Sequence, residues 1–319
     1  MTLLTARRWI CIPRFGGVSW DNPRQPLYNA PMTFLNVVVL AIVQGFAELL
    51  PVSSSAHVVV AEKLLSLDPS SPPMTLLLVM LHTGTMFAVI VYFWQRWRDA
   101  YFQNSRVFRQ AAWRVVLATA VTGIIGEGIV KIFEKTVFRD APHAEIEDLF
   151  SHLELIAPAL AAAGILILIA GLLEKSIAAR IRARAGLSLP QAGVIGLVQG
   201  LCLPFRGFSR SGATISTGML LGIGKAQAEI FSFALAVVLT PPVVAREVMR
   251  LMRSDPSGGD ATNAPVVLLS LLGAVVAFAA GLLALKWLSR WLEAGRWYLF
   301  GIYCLVAAAA VGLLYKAGY

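Results

Sequence analysis

Gln44-Gly45-Phe46-Ala47-Glu48-Leu49-Leu50-Pro51-Val52-Ser53-Ser54-Ser55-Ala56-His57 places a carboxylate, three consecutive hydroxyls and an imidazole in otherwise apolar sequence. Such groups cost several kcal/mol in hydrocarbon unless they meet partners or water, so the cluster reads as functional. Gln44 and Glu48 are four residues apart and share a helix face, and Pro51 ends that helix just before the serines. The pattern returns about 155 residues later. Leu197-Val198-Gln199-Gly200 echoes Ile42-Val43-Gln44-Gly45, and Phe208-Ser209-Arg210-Ser211-Gly212 falls where Ser53 to His57 fell. One half carries acid and imidazole, the other a guanidinium.

The surrounding composition belongs to a membrane. Of 319 residues, 57% are hydrophobic and 14% charged, with a mean hydropathy of +0.71; soluble domains run near about 45–50% and 25%. A net charge of +9 raises nucleic acid as a partner, but the basic residues gather in short loops between apolar runs, which is the positive-inside pattern of a polytopic protein. No nucleic-acid partner is expected. Cys11, Cys202 and Cys304 lack metal-ligand spacing and read as packing residues. Residues 1–31, with Arg7, Arg8, Arg14 and Arg24 and no apolar signal core, read as an extramembrane tail.

Six segments suit helices crossing a bilayer, near 73–95, 111–133, 153–173, 226–250, 264–286 and 296–316. Two regions do not fit that template. Residues 34–50 and 57–66 are short helical pieces split by Pro51 and the serines; 190–204 and 208–222 are split by Pro204, Gly207 and the Ser-Arg-Ser-Gly run. Broken backbone at membrane depth must be buried in protein or line a wet cavity, so both regions read as re-entrant helix-loop-helix hairpins. The expected fold is an all-α polytopic membrane protein, hairpin and three spans, then hairpin and three spans. An odd number of spans turns the second half over, giving an inverted-topology repeat of about 32–175 and 188–319 within one membrane domain, 32–319.

Loop charges orient it. Arg96, Arg98, Arg106 and Arg109 follow the first span, Lys175, Arg180, Arg182 and Arg184 the third, and Lys286, Arg290 and Arg296 the fifth, which makes that side cytoplasmic. Asp140, Glu145, Glu147 and Asp148 lie opposite, where Arg250 and Arg253 are exceptions. Both termini are expected outside the cytoplasm.

Glu48 suits a metal ligand or a general base, and Gln44 adds an oxygen donor for a hard cation such as Mg²⁺ or Ca²⁺, which also binds phosphate. Ser53, Ser54, Ser55 and His57 combine nucleophile and base, or cap the helix that begins near His57; a helix N-terminus is itself an anion site. Gly207, Ser209, Arg210, Ser211, Gly212 and Thr214 form the inventory of a phosphate cradle, with Arg210 gripping oxygens bidentately. The alternative for Arg210 is a salt bridge to Glu48, formed when no substrate is present. Arg206 adds a second cation, facing the interface. His82 reads as a packing histidine, Glu127 and Lys131 as a surface pair, Glu229 as interfacial, and Pro241-Pro242 as a kink.

These motifs resemble the undecaprenyl-diphosphate phosphatase family, the bacterial bacitracin-resistance membrane proteins. Gln44 to Glu48 is similar to its Glu/Gln-x-x-x-Glu element, Leu50 to His57 to the segment after it, and Gly207 to Thr214 to its second signature, with further likeness at His82 to Thr85 and Phe231 to Phe233. The resemblance covers roughly residues 34–316. Arg206 stands where the family pattern has proline, and the stretch from Gln199 to Gly207 is one residue longer.

The resemblance implies hydrolysis of a C55 polyprenyl diphosphate to the monophosphate, recycling the carrier lipid for peptidoglycan and envelope synthesis and conferring bacitracin resistance. It places the protein in the bacterial inner membrane with a site open to the extracytoplasmic face. It implies Glu48 and Gln44 as metal ligands, Ser54 as nucleophile and His57 as its base or an alternative nucleophile. Arg210, Ser209 and Thr214 would bind the diphosphate, with Ser53, Ser55, Gly207, Ser211 and Gly212 around it. A homodimer is compatible with these features. The rival reading is a transporter or flippase for a phosphorylated lipid, since inverted repeats with broken helices also build transporters.

Overall fold

The computed structural model describes residues 32–69, 71–136, 153–180, 186–254 and 263–317. The N-terminal tail with Cys11, the acidic Asp140 to Asp148 and Arg182 and Arg184 lie outside them. Among the described residues there are ten α-helices and no strand. They are α1 (Phe34–Leu49), α2 (Ser54–Leu64), α3 (Pro72–Tyr101), α4 (Ser105–Thr136), α5 (Leu153–Arg180), α6 (Leu189–Cys202), α7 (Arg210–Leu220), α8 (Lys225–Ser254), α9 (Ala264–Glu293) and α10 (Trp297–Lys316).

Six of them, α3, α4, α5, α8, α9 and α10, are long and apolar enough to cross a membrane, at the places the hydropathy predicts. Most run past their apolar cores; α3 continues to Tyr101 and α9 to Glu293. The hydrocarbon boundary ends hydrophobicity, while Arg, Gln and Leu remain good helix formers beyond it. The short helices have local causes. Thr33 caps α1 by accepting from the Asn36 N–H, and the helix stops before Pro51. A Ser188/Gln191 capping box with Pro190 starts α6. Pro158 and the Pro241-Pro242 pair lie inside helices that continue through them.

Small residues let these helices touch. Gly45 of α1 meets α9, where an added Cβ would lie 2.6 Å from Ala280 Cβ and 2.8 Å from the Ala277 carbonyl. Gly200 of α6 meets α4 in the same way, 2.8 Å from Ile125 Cβ and 2.9 Å from the Thr122 carbonyl. Val37 packs against Gly273 and Gly45 against Gly281, so α1 runs parallel to α9; Gly196 meets Ala118 and Gly200 meets Thr122, so α6 runs parallel to α4. α10 lies along α5, and α3 lies between α8 and α9. Phe93 and Phe233 stack at 4.9 Å in the centre, joined by Trp97.

The ends of α3, α5 and α9 and the start of α8 meet on one side. Arg96 Nη1 donates to Glu229 Oε2 at 3.2 Å, Ser289 Oγ donates to Glu229 Oε1 at 2.6 Å, and Lys225 Nζ donates to Glu174 Oε1 at 2.7 Å. Glu229, near the start of α8, is covered by protein: it is 2% exposed, and Arg96 reaches along Tyr92 and Phe93 to neutralise it. Glu127 and Lys131 do pair on the surface, at 3.8 Å. Cys202 and Cys304 are buried free thiols.

Candidate active site

Two loops build the site. After α1 the chain turns through Pro51 and Ser53, whose φ of 70° is rare for a residue with a Cβ, and α2 begins at Ser54. After α6 it turns through Gly207, whose φ of 103° and Cβ position 2.6 Å from the Ile156 carbonyl admit only glycine, and α7 begins at Arg210 with Ser209 as its cap. The loops touch directly: Gly207 N–H donates to Ser55 Oγ at 3.2 Å and Ser211 Oγ donates to the Leu50 carbonyl at 3.4 Å. Two helix N-termini, with their positive dipole ends, thus meet beside one carboxylate.

That carboxylate is Glu48, and its oxygens are divided. Oε1 accepts from Arg210 Nη2 at 2.8 Å. Oε2 accepts from Ser54 Oγ at 2.5 Å and from the Gln44 amide at 3.4 Å, and His82 Nε2 stands 4.0 Å away. The cleft around them is lined by Glu48, His82, Thr85, Arg210, Val237 and Thr240, and at about 10 Å³ holds little more than a water molecule. In a larger space of about 440 Å³, beside Glu174, Lys225, Glu293 and Tyr298, the ammonium is already held by the Glu174 carboxylate and the Glu293 carbonyl; chemistry, rather than size, locates the site.

The expected residues do not all face this cleft. Gln44, Glu48, Ser54 and Arg210 converge. His57 turns away from Ser54: its Nδ1 lies 2.7 Å from the Ser53 carbonyl and its Nε2 2.7 Å from Tyr303 Oη, with the two rings stacked. A helical side chain three residues beyond Ser54 reaches back over the preceding turn, so the imidazole finds the carbonyl at i−4 first. Thr214 is fully buried, donating to the Arg210 carbonyl and sharing a hydrogen bond with Ser232, so it braces α7 against α8. Ser209 accepts from Gly212 N–H and Ser53 pairs with Ser55; these and Ser211 shape the loops. Arg206 is half-buried and its charge acts on the buried Glu62 of α2.

His82 corrects the packing assignment, since it lines the cleft from the middle of α3. Thr85 and Thr240 are also cleft residues that sequence reading passed over. The available signal was polarity: His82 and Thr85, three apart, share a face of a long apolar helix. Among the described residues no group of three or more His, Cys, Asp or Glu side chains gathers. Any cation here would therefore draw on Glu48, amide and hydroxyl oxygens, and His82.

Comparison with known families places this geometry. The family described as "Bacitracin resistance protein BacA" matches residues 37–310, a span that contains both loops. The chain belongs to the BacA family. Among curated BacA-type relatives, Undecaprenyl-diphosphatase 2 of Acinetobacter baylyi is 56% identical over 283 residues, covering 88% of this chain and 97% of its own length. Undecaprenyl-diphosphatases of Rhodopirellula baltica and Parabacteroides distasonis are 32% and 31% identical, covering 88% and 86% of this chain and 97% and 96% of their own. The BacA match thus embraces every residue bonded to Glu48.

Proposed function

We propose that the chain hydrolyses undecaprenyl diphosphate to undecaprenyl monophosphate and inorganic phosphate. The observation that carries this reading is the Ser54–Glu48–Arg210 arrangement, in which a nucleophile donates to one carboxylate oxygen while a guanidinium holds the other. The relatives named for this activity match over nearly their whole lengths. Lipid transport needs a cation for the head group but has no use for a serine bonded to a base.

In the reaction, Ser54 Oγ attacks the terminal phosphorus and gives its proton to Glu48 Oε2. The bridging P–O bond breaks, and the departing monophosphate oxygen takes that proton. Water then attacks the phosphoserine, its proton passing through Glu48 to Ser54 Oγ as inorganic phosphate leaves. Arg210 spends one nitrogen on Glu48, and its remaining donors meet the charge growing on the phosphoryl oxygens, helped by the N-termini of α2 and α7.

The donor set suits a divalent cation. Arg210 occupies Oε1, while Oε2, which accepts from Ser54, also faces Gln44, whose amide oxygen and nitrogen are interchangeable by rotation. Glu48 Oε2 and Gln44 would hold Mg²⁺ or Ca²⁺, with substrate phosphate and water completing the shell. The cation, when bound, polarises the phosphoryl group.

We also infer that α1–α2 and α6–α7 are re-entrant hairpins of an inverted repeat in the bacterial inner membrane. Gln191, at the start of α6, bonds the Leu221 carbonyl beyond α7, and Val58 of α2 joins the cluster of Val37 and Leu77, so each second helix returns toward its origin. α1 and α6 run parallel to α9 and α4, whose basic ends point the opposite way along the chain. The cleft lies about 20 Å along α8 from Lys225, at 1.5 Å per residue, and its access is assigned to the extracytoplasmic side, away from the arginines.

The test is phosphate release from undecaprenyl diphosphate by detergent-purified protein with and without Mg²⁺ or Ca²⁺, comparing wild type with Ser54→Ala, Glu48→Gln and His57→Ala. Ser54→Ala is expected to lower kcat at least about a thousandfold, and His57→Ala far less. No release from folded wild type would overturn the phosphatase reading, and a fully active Ser54→Ala would remove Ser54 from its role.

A further inference from the structure

His82 Nδ1 lies 2.8 Å from the Leu78 carbonyl. A carbonyl only accepts, so Nδ1 carries the hydrogen and, in the neutral ring, Nε2 presents its lone pair. That lone pair faces the cleft, with Glu48 Oε2 at 4.0 Å. A ring fixed by one N–H on a backbone carbonyl, with its other nitrogen left to face a ligand, is how metal-binding histidines are held. His57, by contrast, has both nitrogens engaged, by Ser53 and Tyr303.

Distances sort the groups around Oε2. Two atoms each about 2.1 Å from one ion stand about 3 Å apart at a right angle and about 4.2 Å apart across it. The Gln44 amide at 3.4 Å and His82 Nε2 at 4.0 Å fall inside that window. Ser54 Oγ at 2.5 Å is too close to share an ion with Oε2 and keeps its place as the proton donor.

We propose that His82 is a direct ligand of the divalent cation, so that the site is a mixed nitrogen–oxygen site assembled from α1 and α3. This rests on the cation reading above. An imidazole ligand moves preference away from Ca²⁺, which takes oxygen, toward first-row ions such as Mn²⁺. It also explains why the carboxylate and the histidine sit on separate elements: the ion would tie the first loop to the first long helix.

The test uses Mn²⁺ as probe on the full chain in detergent, reading affinity by EPR titration and bound nitrogen by electron spin echo modulation. Wild type is expected to show a histidine-nitrogen coupling that changes on labelling with ¹⁵N-histidine, persists in His57→Gln and disappears in His82→Gln, with Mn²⁺ affinity down at least about tenfold and Ca²⁺ competing poorly. Mn²⁺ bound in a manner lost in Glu48→Gln but without histidine coupling would overturn the role of His82 and leave an oxygen-only site. No Mn²⁺ binding by folded wild type would overturn the cation reading itself. Should His82→Gln fail to fold, the absence of histidine coupling in labelled wild type overturns the proposal, and coupling that persists with His57, His143 and His152 all changed to Gln supports it.

Discussion

Arg210 and Glu48 are each stable at membrane depth because of the other. Their side chains are 20% and 18% exposed, and the 2.8 Å contact neutralises both where an unpaired charge would be costly. The same contact limits what can replace Arg210. Arg210→Lys keeps the charge but loses the planar fork, so a single ammonium must choose between Glu48 and phosphate. We expect Arg210→Lys to fold yet lose about 10²–10³ in kcat, measured as phosphate release at saturating substrate; wild-type turnover would show that one point charge suffices.

Among the elements, the broken helices depend on glycine at their crossings. Gly45 and Gly200, which the sequence shows only as halves of a repeated Val-Gln-Gly, are points where α1 and α6 come close to α9 and α4. In a bilayer such contact relies on close packing by small residues. The atoms facing both glycines include backbone carbonyls, which do not yield as a flexible side-chain tip would. Gly200→Ala and Gly45→Ala are each expected to cost about 1–3 kcal/mol, read as a lowered thermal unfolding midpoint in detergent, whereas Gly123→Ala, which meets nothing within 4 Å, should leave it unchanged.

At the scale of the whole molecule, the cluster of Arg96, Glu229 and Ser289 joins α3, α8 and α9 at the end remote from the cleft. Glu229→Ala leaves Arg96 without its anion. Arg96 is one-third exposed and can turn toward water, so the loss is expected to be about 1–3 kcal/mol rather than the full cost of a buried orphan charge. The measurement is thermal unfolding, with Glu229→Gln intermediate because its one carbonyl oxygen still accepts from Arg96 while its NH2 can only donate, to a Ser289 hydroxyl turned to accept. Equal stability of all three proteins would show that the cluster contributes nothing.

Much of this was legible in the chain alone. Hydropathy locates the six spans because hydrocarbon demands about 20 apolar residues per crossing, and Pro51 and Gly207 mark the breaks because proline lacks a donor and only glycine tolerates the turn. Glu48, Ser54 and Arg210 stand out because polar groups at that depth need a purpose. Partner choice was not legible. Ser54 and His57 are only three residues apart in sequence, yet Ser54 bonds Glu48 and His57 bonds Tyr303, 246 residues away. His82 and Glu229 looked like background, and packing of α3 against α1 and α8 made one a cleft residue and the other a buried ion. Local sequence determines where backbone can bend and which side chains must leave lipid. Which of them meet is decided by helix packing, because distances of 3 or 4 Å between residues far apart in the chain exist only after the helices have assembled.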